Sequence, residues 1–206
     1  MTRKYNSQRR AESAERTRQA IVEAAVKMHQ QGVTTLSAVA EEAGVSLPTV
    51  NKYFPTREDL FGACTTHVAA HLDYPSPDAL AAIDDAGERL SQLVQQVFVL
   101  HETTFGTAWT GYRLEDESQM MAEAMANYEH FIGLLVDAML HDLDHFIGDK
   151  ATIAGFVRAA LSPLTYRALR LRNGLDQADA ARYMTVALSG LLGIGLPEAI
   201  SGAGLR

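Results

Sequence analysis

Five hydrogen-bonding side chains crowd into eight positions, at Ser46, Thr49, Asn51, Lys52 and Tyr53. They supply hydroxyl, amide, ammonium and phenol groups, a set that suits phosphate oxygens and base edges when one helix face presents them. Two histidine pairs stand at i,i+4 spacing, His67/His71 and His141/His145, with Asp142 and Asp144 beside the second. Each pair would set two imidazoles on one helical face, as a metal requires. No HExxH pattern or cysteine cluster accompanies them, so solvent-facing histidines are expected, with no metal and no other cofactor. The sequence has no nucleophile elbow, Walker loop or dinucleotide fingerprint, so no enzyme is expected. Cys64 is the one cysteine. It can form no disulfide within the chain, has no resolving partner, and reads as a small buried apolar residue.

The donors need a scaffold, and the flanking sequence predicts helices. A first helix is expected over about Glu12 to His29, with Ile21, Ala24, Ala25 and Met28 as its apolar stripe and Gly32 after its end. A second begins at Thr35 as N-cap, buries Leu36, Val39 and Ala40, and ends at Gly44. Ser46 caps a short third helix with Pro48 in its first turn, where a missing N–H costs nothing. Val50 and Phe54 point inward and Pro55 stops it. Thr56 to Asp59 opens a fourth helix with a capping-box pattern; it carries Leu60, Phe61 and Val68 and ends before Pro75. A helix, a tight glycine turn and a second short helix form a helix-turn-helix.

The stretch from Pro75 to Asp85 reads as a seam. Helices are expected beyond it over about 86–105, 107–114, 118–143, 151–173 and 176–200, with Pro163 kinking the penultimate one. Gly174 reads as a stop and Asp176 as a cap. The 206 residues carry a net charge of −7, distributed unevenly. Through Leu60 there are nine basic and seven acidic residues, and beyond it nine and eighteen. The local patch governs attraction to nucleic acid, so the acidic total does not exclude it. The basic start is followed by no apolar signal region, and the longest apolar stretch, near 185–197, is too short to span a bilayer. A cytoplasmic protein is expected.

The pattern Thr35…Val39-Ala40…Ala43-Gly44-Val45-Ser46…Thr49-Val50…Tyr53-Phe54…Thr56-Arg57-Glu58…Leu60 resembles the tetracycline-repressor (TetR) family of bacterial regulators. The likeness covers about residues 18–60; beyond Phe61 it is one of architecture. It implies an all-α fold: an N-terminal three-helix helix-turn-helix DNA-binding domain with a basic tail, residues 1–55, and a C-terminal helical ligand-binding and dimerisation domain, residues 56–206.

The resemblance also implies residue roles. Lys52, Tyr53 and Arg57 would bind phosphates, Ser46 and Thr49 would contact backbone or bases, and Pro48 and Asn51 would approach base edges; Thr35 completes the DNA-binding set. Asn51 stands where the family usually has tyrosine, so base choice at that position stays open. The basic tail before Ser13 would reach along the DNA and be mobile when free. A homodimer is expected through the last two helices, where Tyr183, Met184, Val186, Leu188, Leu191, Leu192 and Ile194 are apolar on more than one face and Gly190, Gly193 and Gly195 permit close approach. Phe98, His101, Phe105, Trp109, Tyr112, Met121, Met125, Tyr128 and Tyr166 are candidates for the wall of a small-molecule pocket, with Trp109 and Tyr112 foremost; ordinary core is the other reading for each. The function implied is a homodimeric repressor, released from a palindromic operator by a small-molecule ligand. An activator or ligand-independent regulator with the same reader, and a helical ligand-binding protein with a vestigial reader, stay open. The ligand, the operator and the regulated genes are not named by the sequence.

Overall fold

The computed structural model of the chain describes residues 2–144 and 148–196, with side chains from Gln8 onward. Every regular element among them is helical. They are α1 (Thr2–Gln30), α2 (Leu36–Glu42), α3 (Leu47–Tyr53), α4 (Arg57–Ala70), α5 (Pro77–Ala81), α6 (Ala86–Thr103), α7 (Phe105–Leu114), α8 (Gln119–Met139), α9 (Lys150–Ala160), α10 (Pro163–Arg167) and α11 (Gln177–Leu192), with a π-helical turn at Ala168–Arg172 after α10. No described helix is long and apolar enough to cross a membrane.

The helix starts follow local chemistry. Thr35, Ser46, Asp85, Asp149 and Asp176 each accept a backbone N–H of their own first turn, leaving fewer orphan donors. At α4 the capping box is complete: Thr56 accepts from the Asp59 amide at 3.1 Å and Asp59 from the Thr56 amide at 3.0 Å.

The helix pattern differs from expectation at four places. The first helix, expected from about Glu12, starts at Thr2 and takes in the basic segment before Ser13. No glycine or proline interrupts residues 2–31, and Arg, Gln, Glu and Ala dominate it, all good helix formers. The seam from Pro75 contains α5, capped by Ser76 with Pro77 in its first turn. The penultimate helix is broken at Pro163 rather than kinked. The proline forces Ser162 into extended backbone, φ −71° and ψ 153°, and Ser162 then caps a new helix through the Thr165 amide. The π-helical turn follows, closed by Asn173 N–H on the Ala168 carbonyl at 3.2 Å. The last helix ends at Gly193, short of the expected Ile200, which lies outside the described residues.

The chain forms two compact units, residues 1–72 with 106–124, and residues 73–105 with 125–206. The core of the first holds Ile21, Val22, Ala25, Val39, Val50, Phe54 and Leu60. Its returning segment is bonded to the end of α1: Thr110 donates to the His29 carbonyl at 2.7 Å and Arg113 to the Gly32 carbonyl at 2.7 Å. Gly106 permits this approach, since a Cβ there would lie 2.3 Å from the Gln30 carbonyl oxygen. The second unit packs α6, α9, α10, α11 and most of α8 around Leu90, Leu93, Val97, Leu135, Met139 and Val157. Arg89 is fully buried there and donates to the carbonyls of Ile83 and Met139, at 2.7 and 3.1 Å, and to Asp142.

Candidate nucleic-acid interface

The helix-turn-helix unit is assembled from α1 to α4. Between α2 and α3 the chain turns at Gly44, whose φ of +65° suits a residue without Cβ. The turn is closed by the Val45 amide on the Ala40 carbonyl at 3.0 Å. Val50 and Phe54 are 0% and 2% exposed, which fixes the rotation of α3 and sends Asn51 and Lys52 to solvent. Lys27 pairs with Glu42 at 2.5 Å and ties α1 to α2.

The sequence-predicted residues fall as follows. Ser46, Pro48, Asn51 and Lys52 are exposed on or beside α3, and Thr49 is half-buried. The Ser46 and Thr49 hydroxyls are 2.8 Å apart, so these two donors hold one another in place. Tyr53 is half-buried, packs on the unit's core, and lies under the Lys52 ammonium, 5.7 Å from its ring centre. Arg57 has partners within the protein: its guanidinium lies 5.3 Å from the Phe61 ring centre and 4.0 Å from Glu117. Thr35 is exposed and caps α2. Sequence reasoning missed Leu47, which is 41% exposed at the start of α3. Its spacing to Val50 and Phe54 suggests the buried face, so the sequence carries no signal for its exposure. An exposed aliphatic beside polar donors can meet a thymine methyl.

Of the pocket candidates, five form one aromatic cluster in the second unit. Tyr166 lies 4.8, 5.7 and 6.1 Å, ring centre to ring centre, from Phe98, His101 and Phe105, and His101 lies 5.8 Å from Tyr128. His101 bonds Tyr128 Oη at 2.7 Å through Nδ1 and donates from Nε2 to the Leu161 carbonyl at 2.8 Å. In the neutral ring Nδ1 is then the acceptor of the Tyr128 hydroxyl. Burial pushes the His101 pKa down to about 4 against the smaller opposing effect of that carbonyl, and pushes the phenols of Tyr128 and Tyr166 up. Tyr166 donates to Glu102, which Arg170 grips with two nitrogens at 2.8 and 3.0 Å. The Arg170 hydrogen bond is the main reason that Glu102 ionises below its usual range.

The other four stand apart. Met125 is half-buried on α8 in the second unit. Trp109, Tyr112 and Met121 belong to the first, where Met121 packs with Phe61 and Leu114 and Trp109 is 38% exposed. Cys64 is buried as expected, its thiol pushed up to about 12 by burial. His145 lies outside the described residues, and Asp142 is engaged by Arg89.

Residues 21–64 match the family model described as bacterial regulatory proteins, tetR family. This match bears out, over those residues, the resemblance read from the motif. No curated protein matches the chain. Among solved structures, a transcriptional regulator of Saccharomonospora viridis in complex with choline aligns over 85% of this chain and 96% of its own, with TM-score 0.62 and 17% identity. FadR of Bacillus subtilis in complex with stearoyl-CoA aligns over 86% and 99%, with TM-score 0.59 and 16% identity. NalD of Pseudomonas aeruginosa, the secondary repressor of the MexAB-OprM multidrug efflux pump, aligns over 86% and 95%, with TM-score 0.58 and 19% identity. At these identities the likeness is one of fold: an N-terminal helix-turn-helix and a helical body behind it.

Proposed function

We propose that this chain, with a tetR-family reading segment at residues 21–64, is a homodimeric, sequence-specific DNA-binding repressor that a small molecule releases from its operator. The observation that carries the reading is α3 itself. Its inward face is sealed by Val50 and Phe54, while Ser46, Pro48, Asn51 and Lys52 stand outward on a capped helix short enough for a major groove. Lys52 would meet phosphate, Asn51 an adenine edge, and Leu47 a thymine methyl. Thr35, Thr49, Tyr53 and Arg57 would act at the edge of the contact, Arg57 after exchanging Glu117 for phosphate. The functional division proposed is residues 1–55 for reading DNA and 56–206 for ligand binding and dimerisation.

The aromatic cluster around His101 and Tyr166 supports an effector site in the helical body, with aromatic walls and a few fixed polar groups. Choline and stearoyl-CoA in two proteins of this fold favour a small-molecule effector as the class. Phe156, Leu164 and Tyr183 are 59%, 46% and 46% exposed on α9, α10 and α11, and a Cβ at Gly190 would meet nothing within 4 Å. Large apolar side chains exposed on these helices favour a second copy as their partner. The effector would act by its differential affinity for two dimer states, only one of which matches the operator. A cytoplasmic location fits these roles.

The test is the salt dependence of duplex binding by the full chain. Log affinity should fall linearly with log salt, and Lys52→Ala should weaken every duplex and reduce that slope by about 1. A Lys52→Ala chain with unchanged affinity and slope would remove α3 from the DNA contact.

A further inference from the structure

We propose that His67 and His71 form an open site for one divalent transition-metal ion of the imidazole-seeking class, with Zn²⁺ as the ion to test. The pair lines an open groove of about 580 Å³ in the first unit, whose walls include Arg18, Gln19, Glu58 and Thr66. The sequence favours two independent solvent-facing histidines here. The structure instead stacks them, with ring centres 4.3 Å apart and ring planes 37° apart. Two imidazoles sharing one tetrahedral ion, at Zn–N lengths of about 2.0–2.1 Å, have ring centres about 5 Å apart. Side-chain rotation alone spans that difference.

The hydrogen bond at His71 favours ligation. His71 Nδ1 lies 2.7 Å from the His67 carbonyl oxygen. A carbonyl only accepts, so Nδ1 carries the proton and Nε2 presents its lone pair. Metal-bound histidines commonly have this arrangement, one ring nitrogen on the ion and the other donating to a carbonyl. His67 Nδ1 lies 3.3 Å from the Gln19 amide nitrogen, which also donates to Glu23 at 2.9 Å. The Glu23 carboxylate only accepts, so the atom between it and His67 is the amide NH2, and His67 Nδ1 is an acceptor whose lone pair an ion would take by displacing that amide. Gln19, held by Glu23, is then a competitor for that lone pair rather than a support for the ion.

No group of three or more His, Cys, Asp or Glu suited to a metal occurs among the described residues. Two imidazoles therefore supply the protein ligands and water the rest, which makes the ion exchangeable rather than structural.

The experiment is calorimetric titration of tag-free, full-length protein with Zn²⁺. One ion per chain is expected at this site. His67→Gln and His71→Gln should each weaken it at least tenfold, whereas Gln19→Ala, which removes a competitor for the His67 lone pair, and His141→Gln should not weaken it. Thermal melts of the variants without metal verify folding. In the unsubstituted chain, the ring-proton resonances of His67 and His71 should be the histidine signals that move on addition of Zn²⁺. No binding, binding unchanged in both His67→Gln and His71→Gln, or movement confined to other histidines would overturn the site. DNA binding by α3 does not enter these readouts, so the two proposals can fail separately.

Discussion

Glu58 accepts a hydrogen bond from the Ser118 hydroxyl at 2.8 Å, joining the first turn of α4 to the residue before α8. The same carboxylate oxygen accepts the Met120 amide at 3.2 Å, and Ser118 in turn accepts the Met121 amide at 3.2 Å. One carboxylate thus satisfies two donors at the start of α8, including the hydroxyl of a buried serine. Glu58→Ala should lower stability by about 1–2 kcal/mol, as for loss of an N-terminal cap. Glu58→Gln, which keeps an acceptor oxygen, should lose less. Denaturant midpoints measure both, and an unchanged midpoint in Glu58→Ala would show that the link contributes nothing.

Asn51 is exposed on α3 and stands where a tyrosine is usual in the family it resembles. A bidentate amide contact to adenine discriminates by about 1–3 kcal/mol. Asn51→Ala should therefore relax the preference at one position of each half-site while the remaining bases stay fixed. Sequence selection with the variant checks this, and an unaltered motif would assign Asn51 to the backbone or to solvent.

His29 and His101 are both buried, and burial lowers each pKa to about 4 against an ordinary 6.5. Between those values the unfolded chain binds more protons than the folded one, so stability rises with pH across the window and levels off above it. Acidification from pH 7 to 5 should cost about 1–2 kcal/mol for each histidine. Below pH 4 this contribution stops growing. His29→Phe removes one of the two titrating imidazoles and should flatten the dependence, with no Nε2 hydrogen bond lost. Denaturation at a series of pH values reads the slope; no change between pH 7 and 5 would place both imidazoles in water.

Arg89 is the largest fully buried side chain, and three acceptors meet its guanidinium. Arg89→Met fills much of the space but strands the Ile83 and Met139 carbonyls. Each stranded acceptor costs about 1–3 kcal/mol. The loss should be about 2–6 kcal/mol by chemical denaturation, and a loss under about 0.5 kcal/mol would mean that water reaches both carbonyls.

The reading head was legible because its signals are local. Caps at Thr35, Ser46 and Thr56, the turn glycine at 44, and the inward pair Val50 and Phe54 each depend on a few neighbouring residues. The helical body was legible as helices and less so as a site. Ser162 competes with the continuing helix for the chain before Pro163, and a cap followed by proline overrides an apolar period that runs on through both. Trp109 and Tyr112 share composition with the pocket candidates, but long-range packing assigns them to the unit of α1 and separates them from His101 and Tyr166. Arg57 offered a free cation in the sequence, whereas Phe61 and Glu117 engage it in the fold.

Selection of bound sequences from a random duplex library, by full-length protein at near-physiological salt, tests the central claim most directly. The account predicts an enriched palindrome whose half-sites lie about one helical turn apart, ~34–36 Å, as two copies of α3 require. No enriched sequence from folded protein would contradict the DNA reader, and a single unrepeated half-site would contradict the dimer.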